Sequence, residues 1–260
     1  MKIVIAIDSL KNSLTSVEAG RAVEAGVRKA YGSQPVQIVV KPLADGGEGT
    51  VEALVEGMNG KLCHAVVKGP LGEPVSCSYG YLPDTATAVI EMAGAAGLGL
   101  VPEDRRNPLY TTTYGVGQVM AKAIEGGIRH FIIGLGGSAT SDCGVGMLQA
   151  LGYVFRDAEG HVVGTGGLAV GDIASVDDSQ VLPALKECTF DVACDVTNPL
   201  YGTLGAAAVF GPQKGASPAD VKRLDDASRS FAAVTKAYKG QDYSQASGAG
   251  AAGGLGFAFL

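Results

Sequence analysis

The sequence predicts an α/β protein built around a parallel β-sheet. Its N-terminal part alternates between strand and helix patterns, with apolar strands at residues 2–7 and 36–40 and a helix after each. A further strand–turn–helix unit follows at residues 130–151, and its strand is an unbroken apolar run, as in strands buried on both faces. Strands joined by helices are typical of parallel sheets, whose ligands collect at the carboxyl ends of the strands.

The composition restricts the class of protein. With 260 residues, 47% hydrophobic and 18% charged, the chain can form one large or two modest domains. A net charge of −6 without a Lys/Arg cluster excludes a nucleic-acid partner, and no apolar run is long enough for a membrane span. The N-terminal apolar run is too short for a signal peptide. Five cysteines without a C-x-x-C pair fit reduced thiols, which predicts a cytoplasmic protein.

The first two strands each end in acidic and small residues. The strand at residues 2–7 leads into Asp8, Ser9 and Lys11, and a capping box then begins a helix. The second strand leads into Asp45, Gly46 and Gly47, and a further helix begins after Thr50. Because both strand ends lie at one edge of a parallel sheet, Asp8 and Asp45 are expected to be neighbours. Ordinary helix caps and turns are the alternative, since Asp is favoured at both.

The sequence pattern changes in the middle of the chain. Residues 61–92 form three short β-rich runs separated by Gly and Pro turns, which predicts an antiparallel meander and a domain boundary near residue 62. Three threonines, Thr111, Thr112 and Thr113, precede a helix at residues 114–124. They can cap that helix or hold an anion.

The strand at residues 130–135 leads into the glycine-rich turn around which the rest is organised. Gly134, Gly136 and Gly137 are followed by Ser138, Thr140 and Asp142, and then by a helix. Free amides at a helix start favour an anion, and glycine lets a phosphate approach the backbone. Two alternatives stay open. The turn matches the loose G-x-G-x-x-G/A dinucleotide pattern, which alone is weak, and it can simply pack a helix onto the sheet.

The remaining segments add further candidates. A hairpin is predicted over residues 152–167, and a strand at 189–193 delivers Asp195 and Asn198. A long helix follows Ser217, with five inward residues: Val221, Leu224, Phe231, Val234 and Tyr238. Residues 248–254 are glycine-rich enough for a ligand loop or for close packing. The apolar final residues suggest a chain cut within an element.

Seven motifs, in order along the whole chain, together resemble the bacterial glycerate kinase family, of the type that phosphorylates the 2-hydroxyl group. They are D-S-L-K-N-S-L at residues 8–14, A-D-G-G-E-G-T at 44–50, R-N-P-L-Y-T-T-T-Y-G at 106–115, G-L-G-G-S-A-T-S-D-C-G at 134–144, C-D-V-T-N-P-L-Y-G at 194–202, V-F-G-P-Q-K-G at 209–215 and G-A-G-A-A-G-G-L-G at 248–256.

The resemblance implies a two-domain organisation. Residues 1–62 would form the first part of a Rossmann-like parallel-sheet domain, and residues 63–260 a second α/β domain inserted into it. Family members continue past Leu260 through a T-G-E-G-R-x-D-type motif and complete the first domain there. We therefore expect this chain to lack the C-terminal part, which leaves an inactive truncated fragment as one alternative.

The resemblance also implies an ATP-dependent kinase, and phosphoryl transfer needs bound phosphates, cations and an acid that orients the acceptor hydroxyl. No Walker A sequence is present, so another phosphate cradle is required. We assign the ATP phosphates to Gly136, Gly137, Ser138 and Thr140, and a helix cap or Mg²⁺ to Asp142. Asp45 or Asp195 is expected to orient the hydroxyl of glycerate.

The other assignments concern glycerate and the metal ion. Lys11 is expected to meet the glycerate carboxylate or the transferring phosphoryl group, and Asp8 is a possible metal ligand. The expected substrate-binding residues are Asp8, Ser9, Lys11, Gly46, Gly47 and Asn198. Glycerate and ATP are the predicted small-molecule partners, and a homodimer is left open. An NAD-dependent oxidoreductase acting on a small hydroxy acid is the alternative enzyme.

Overall fold

The computed structural model describes residues 1–10 and 13–260 and confirms the α/β class. Lys11, assigned above to catalysis and substrate binding, lies outside the described residues. The strands are β1 (Lys2–Ile7), β2 (Gln37–Pro42), β3 (Lys61–Lys68), β4 (Pro74–Leu82), β5 (Thr87–Glu91), β6 (His130–Gly134), β7 (Val154–Arg156), β8 (Ser175–Asp177) and β9 (Thr189–Ala193). The α-helices are α1 (Ser16–Tyr31), α2 (Thr50–Gly57), α3 (Ala93–Ala96), α4 (Tyr114–Glu125), α5 (Val145–Ala150), α6 (Ala206–Phe210), α7 (Pro218–Lys239) and α8 (Ala251–Ala258).

The N-terminal strands form a small parallel sheet. Strands β1 and β2 pair in parallel, and α1 connects them, as the β-α-β pattern predicts. The capping box is present: the Glu18 amide donates to Thr15 Oγ1 at 3.2 Å, and the Thr15 amide donates to the Glu18 carboxylate at 2.9 Å. Both strands end at the same edge, which carries Asp8 and the residues that lead to Asp45.

A five-stranded sheet with the order β3-β4-β5-β6-β9 forms the centre of the molecule. Strands β3, β4 and β5 pair antiparallel and confirm the predicted meander. Strands β5, β6 and β9 pair in parallel, so that Glu91, Gly134 and Ala193 end them at one edge. Strand β6 lies between two parallel neighbours, which explains its unalternating apolar sequence.

Helix α2 covers one face of this sheet. Val51 packs with Leu82 of β4 and Val89 of β5, and Val55 lies against the same cluster. The polypeptide between β2 and β3 therefore packs on the five-stranded sheet before residue 62 is reached. The division into residues 1–62 and 63–260 stays a prediction.

Two larger apolar clusters make up the rest of the core. One lies between the five-stranded sheet and α4, with Ile90, Met120 and Ile133 fully buried. The other lies beneath α7, where Phe231 contacts Phe155 and Phe257 edge to face at 5.8 and 6.0 Å. Within residues 1–10 and 13–260, no helix is long and apolar enough to cross a membrane.

The hairpin predicted over residues 152–167 forms around its turn: the Asp157 amide donates to the His161 carbonyl at 3.0 Å and the Val163 amide to the Phe155 carbonyl at 2.9 Å. Its pairing is short, and β7 pairs with β8 as well. One detail of the predicted elements is wrong. In α7, Tyr238 is 41% exposed, because its hydroxyl donates to the Asp178 carboxylate at 2.6 Å at the solvent-facing end of the helix.

Candidate active site at the carboxyl edge of the parallel strands

Three loops meet at the carboxyl ends of β5, β6 and β9. They are the Asp45 turn (residues 44–49), the glycine loop (residues 135–139) and the Asp195 loop (residues 194–198). The Gly136 amide donates to the Gly46 carbonyl at 3.0 Å, and the Leu135 amide donates to the Ala193 carbonyl at 3.2 Å. The structure thus joins segments far apart in sequence at the edge where a parallel sheet binds ligands.

Glycine is required where these loops touch. Gly46 has φ +90°, and a Cβ atom there would lie 2.6 Å from the Ala193 carbonyl oxygen. A Cβ on Gly136 would lie 2.5 Å from Gly47 Cα, and one on Gly134 would collide with the Gly46 carbonyl. These glycines therefore permit close packing of two loops. At Gly134 and Gly136 this replaces the expectation that glycine makes room for phosphate.

The three predicted aspartates lie just beyond the carboxyl ends of β2, β9 and β1. Asp45 is exposed, and its Oδ1 accepts the Gly47 amide at 2.8 Å. Asp195 is exposed two residues after the end of β9. Asp8 is half-buried at the end of β1, and its Oδ1 accepts the Ser9 amide at 2.6 Å. Asp45 and Asp195 are thus exposed, each within two residues of a carbonyl, of Gly46 or of Ala193, that accepts a hydrogen bond from the glycine loop.

The outer face of the glycine loop consists of backbone. Gly137 is exposed with φ +72°, and Gly136 is half-buried. The amides of Gly137 and Ser138 make no hydrogen bond with residues 1–10 and 13–260, whereas the Gly136 amide is used by Gly46. Gly137 is exposed and Ser138 is 8% exposed, so these two consecutive free amides lie at the boundary between surface and core, where a pair of backbone donors is suited to an anion.

Thr140 and Asp142 lie behind this surface, contrary to their assignment to ATP phosphates and Mg²⁺. Both are 0% exposed. Asp142 Oδ2 accepts from the Thr113 amide at 2.8 Å, from Thr113 Oγ1 at 2.9 Å and from the Gly146 amide at 3.3 Å. Burial raises the pKa of Asp142, and these hydrogen bonds oppose that rise. The carboxylate therefore holds the start of α5 to α4, which is the capping alternative.

Thr111, Thr112 and Thr113 belong to the same buried hydrogen-bond network, which joins the glycine loop and α5 to α4. Thr111 Oγ1 donates to the Ala139 carbonyl at 2.8 Å, and Thr113 Oγ1 accepts the Met147 amide at 2.9 Å. Thr111, Thr112 and Thr113 are all buried. Their hydroxyls fix the glycine loop and α5 against α4, and an anion has no access to them here.

The predicted substrate-binding residues divide into two groups. Asp8, Ser9 and Gly47 are half-buried and reachable from the edge. Gly46 is buried between Ala193 and Gly136, which contradicts a direct substrate contact. Asn198 already has an internal partner, because its Nδ2 donates to the Leu204 carbonyl at 2.8 Å.

The glycine-rich segment at residues 248–254 packs against the back of the same region. The Cys143 amide donates to the Gly253 carbonyl at 3.1 Å. Gly253 has φ +69°, and a Cβ there would collide with the Thr140 carbonyl. Of the two alternatives for this segment, the structure supports close packing.

Lys214, to which no sequence motif assigned a role, lies directly beneath the glycine loop. It ends the 3₁₀ turn Pro212–Lys214 and is 1% exposed. Its Nζ donates to Ser138 Oγ at 2.8 Å and to the Thr140 carbonyl at 2.6 Å. Burial lowers the pKa of Lys214 to about 7, and the charge of Asp142 opposes that shift. The motif V-F-G-P-Q-K-G contained this lysine but gave no sign of its burial.

Glu91, which ends β5, was also missed. It is buried, and its Oε1 accepts the Val51 amide at 2.6 Å at the start of α2, directly after the Asp45 turn. Burial raises its pKa to about 7, with smaller contributions from the charges of Glu52 and Glu48. The sequence signal for Glu91 was an acidic residue at the end of a fully buried strand, and the same signal identified Asp8 and Asp45.

Comparisons with known proteins agree with this architecture. The model of the Glycerate kinase family matches residues 3–260. The chain is 49% identical to the glycerate 2-kinase of Escherichia coli K12 and 48% identical to a glycerate kinase of Haemophilus influenzae, covering 100% of this chain and 68% of each relative. A crystal structure of a protein assigned as glycerate kinase 2 from Salmonella typhimurium LT2 superposes with a TM-score of 0.91 at 48% identity, over 99% of this chain and 68% of that one. The chain therefore belongs to the glycerate kinase family.

Proposed function

We propose that the protein transfers the γ-phosphoryl group of ATP to the 2-hydroxyl of glycerate and releases 2-phosphoglycerate and ADP. Membership of the family supports the reaction, and the Escherichia coli relative, named glycerate 2-kinase, supports the position of transfer. The observation that carries the proposal is the hydrogen bond from the Gly136 amide to the Gly46 carbonyl, since it joins the glycine loop to the acid-bearing turn.

The ATP phosphates are proposed to lie on the exposed side of the glycine loop. The Gly137 and Ser138 amides would donate to phosphate oxygens there. Thr140 and Asp142 are buried and have no direct contact with ATP in this arrangement. Gly136 contributes through its lack of a side chain, since its amide already donates to the Gly46 carbonyl.

Asp45 or Asp195 is proposed to orient the acceptor hydroxyl of glycerate. The hydroxyl oxygen attacks the γ-phosphorus, the bond from that phosphorus to the bridging oxygen of ADP breaks, and the hydroxyl proton passes to the carboxylate. Both carboxylates are exposed at the edge that carries the glycine loop. Asp8, at the neighbouring strand end, is proposed to contribute to the binding of substrate or metal.

Mg²⁺ is the proposed metal ion. Within residues 1–10 and 13–260, no group of three or more His, Cys, Asp or Glu side chains could hold a metal ion unaided. This agrees with Mg²⁺, which is commonly bound by one or two carboxylates together with substrate phosphates. Asp8, Asp45 and Asp195 offer such carboxylates, and the ion would neutralise charge on the transferring phosphoryl group.

A product assay tests the proposal. The protein is incubated with D-glycerate, ATP and Mg²⁺, and the products are identified by phosphorus NMR. We expect 2-phosphoglycerate and ADP in equal amounts, formed at least about 100-fold more slowly by the double variant Asp45→Asn/Asp195→Asn. Formation of 3-phosphoglycerate would contradict the proposed position. No phosphoglycerate, or thermal stabilisation by NAD instead of ATP–Mg²⁺, would contradict the proposed reaction.

A cytoplasmic location and a homodimer remain proposals. All five cysteine side chains are free thiols, which suits a reducing compartment. Light scattering at micromolar concentration would decide between a monomer and a dimer.

A further inference from the structure

We propose that Lys214 is a positioning residue for ATP, and that it acts through the hydroxyl of Ser138. This inference rests on the proposed function, because it assumes that ATP phosphates bind on the glycine loop. The supporting observation is a continuous path: the buried Lys214 Nζ donates to Oγ of Ser138, which is 8% exposed and directly follows the exposed Gly137.

Lys214 is placed where a purely structural side chain would be apolar. It forms no ion pair with residues 1–10 and 13–260, and its two acceptors there are a hydroxyl and a carbonyl oxygen. The charge of Asp142 favours the ammonium form but makes no direct ion pair with it. Burying an ammonium group without a direct ion pair is unfavourable, and an apolar residue of similar volume often stabilises a core better. The lysine is therefore expected to serve something other than stability.

The direction of the hydrogen bond from Lys214 to Ser138 indicates what the lysine does. A serine hydroxyl has one proton and can also accept hydrogen bonds. When Lys214 carries its charge it can only donate, so Ser138 Oγ accepts from it and the serine proton is directed to a different acceptor. A phosphate oxygen held by the Gly137 and Ser138 amides would lie beside this hydroxyl. Lys214 would thus orient Ser138 as a donor to ATP and increase its polarity.

Lys214 also fixes the backbone of the loop. Its Nζ donates to the Thr140 carbonyl, which Gly253 approaches closely from another side. The segment from Ser138 to Thr140 is therefore held between the lysine and the 248–254 segment. A change at Lys214 should affect the ATP-binding face of the loop and leave the Asp45 turn in place.

A double-mutant cycle tests the inference. Lys214→Met, Ser138→Ala and the double variant are compared, with Lys222→Met as the matched control, since Lys222 is exposed on α7 and pairs with Asp226. We expect each single variant to raise KM for ATP about tenfold, the effect of one lost hydrogen bond to a charged group, with KM for glycerate nearly unchanged. The KM for ATP of the double variant should not exceed the higher of the two single-variant values, because both substitutions remove the same interaction.

Two results would overturn the inference. One is an unchanged KM for ATP in Lys214→Met. The other is a double variant whose increase in KM for ATP equals the product of the two single-variant increases. If Lys214→Met does not fold, Lys214→Gln and Ser138→Ala supply the same comparison. A wild-type protein that makes no phosphoglycerate refutes the proposed function instead, so the two failures are distinguishable.

Discussion

The Gly136 amide donates a hydrogen bond to the Gly46 carbonyl at 3.0 Å, and this contact fixes the acid-bearing turn on the glycine loop. Ala193, at the end of β9, closes the same junction from the other side. The catalytic geometry proposed above depends on this junction, since each loop carries a different part of the chemistry.

Enlarging Gly46 should disrupt the site. In Gly46→Ala, the new Cβ would lie 2.6 Å from the Ala193 carbonyl oxygen, so the Asp45 turn must shift. We expect kcat to fall at least about tenfold, because small misplacements of positioned groups are costly. Gly72→Ala is the matched control, since Gly72 has φ +92° and nothing within 4 Å of the added Cβ. It carries the backbone strain without the collision. Equal turnover in the two variants would contradict the account.

Neutralising the exposed aspartates should separate their roles. Asp45→Asn or Asp195→Asn is expected to lower kcat about 100-fold for the residue that accepts the hydroxyl proton, within the usual range for a general base. Thermal unfolding should change little, because both side chains are exposed. Asp226→Asn, on the outer face of α7, serves as the control for loss of one charge. Wild-type kcat in either active-site variant removes that residue from the mechanism.

Glu91 should make stability depend on pH. Its pKa is raised to about 7 from 4.5 by burial, so the folded protein binds more protons than the unfolded chain between these values. Stability from this group is therefore present at low pH and is lost as pH rises through about 7. The unfolding free energy of Glu91→Gln minus that of wild type should rise by about 3 kcal/mol from pH 5 to pH 8. Urea denaturation measures this difference, and an equal difference at both pH values would contradict it.

Asp142 should behave as a structural residue. Asp142→Asn places an amide group among the Thr113, Gly144 and Gly146 donors, so hydrogen bonds are lost in a buried site. We expect a loss of about 2–4 kcal/mol in unfolding free energy, measured by denaturation. The Mg²⁺ concentration for half-maximal activity of the folded variant should equal that of wild type. Unchanged stability with a higher Mg²⁺ requirement would instead favour a metal-ligand role.

Local patterns predicted the elements well. The alternation of strand and helix, the capping box at Thr15 and the apolar run of β6 are each determined by residues close in sequence, and all appear in the structure. The position of Asp45 and Asp195 at a sheet edge followed from the rule that parallel strands end together.

The direction of individual side chains was harder to predict. Thr140 and Asp142 carry groups that bind phosphate or metal elsewhere, yet tertiary contacts with α4 and the 248–254 segment bury them. Lys214 is distant in sequence from Ser138, and nothing local distinguishes it from the exposed lysines of α7. Only the packing of the whole chain shows which polar groups face the edge.

The central claim is that the Asp45 turn, the glycine loop and the Asp195 loop form one site for ATP and glycerate. Hydrogen exchange, measured by mass spectrometry with and without glycerate plus a non-hydrolysable ATP analogue and Mg²⁺, tests it directly. We predict slower exchange together in residues 44–49, 135–139 and 194–198. Protection confined to a different part of the molecule, or absent from one of these three loops, would contradict the claim.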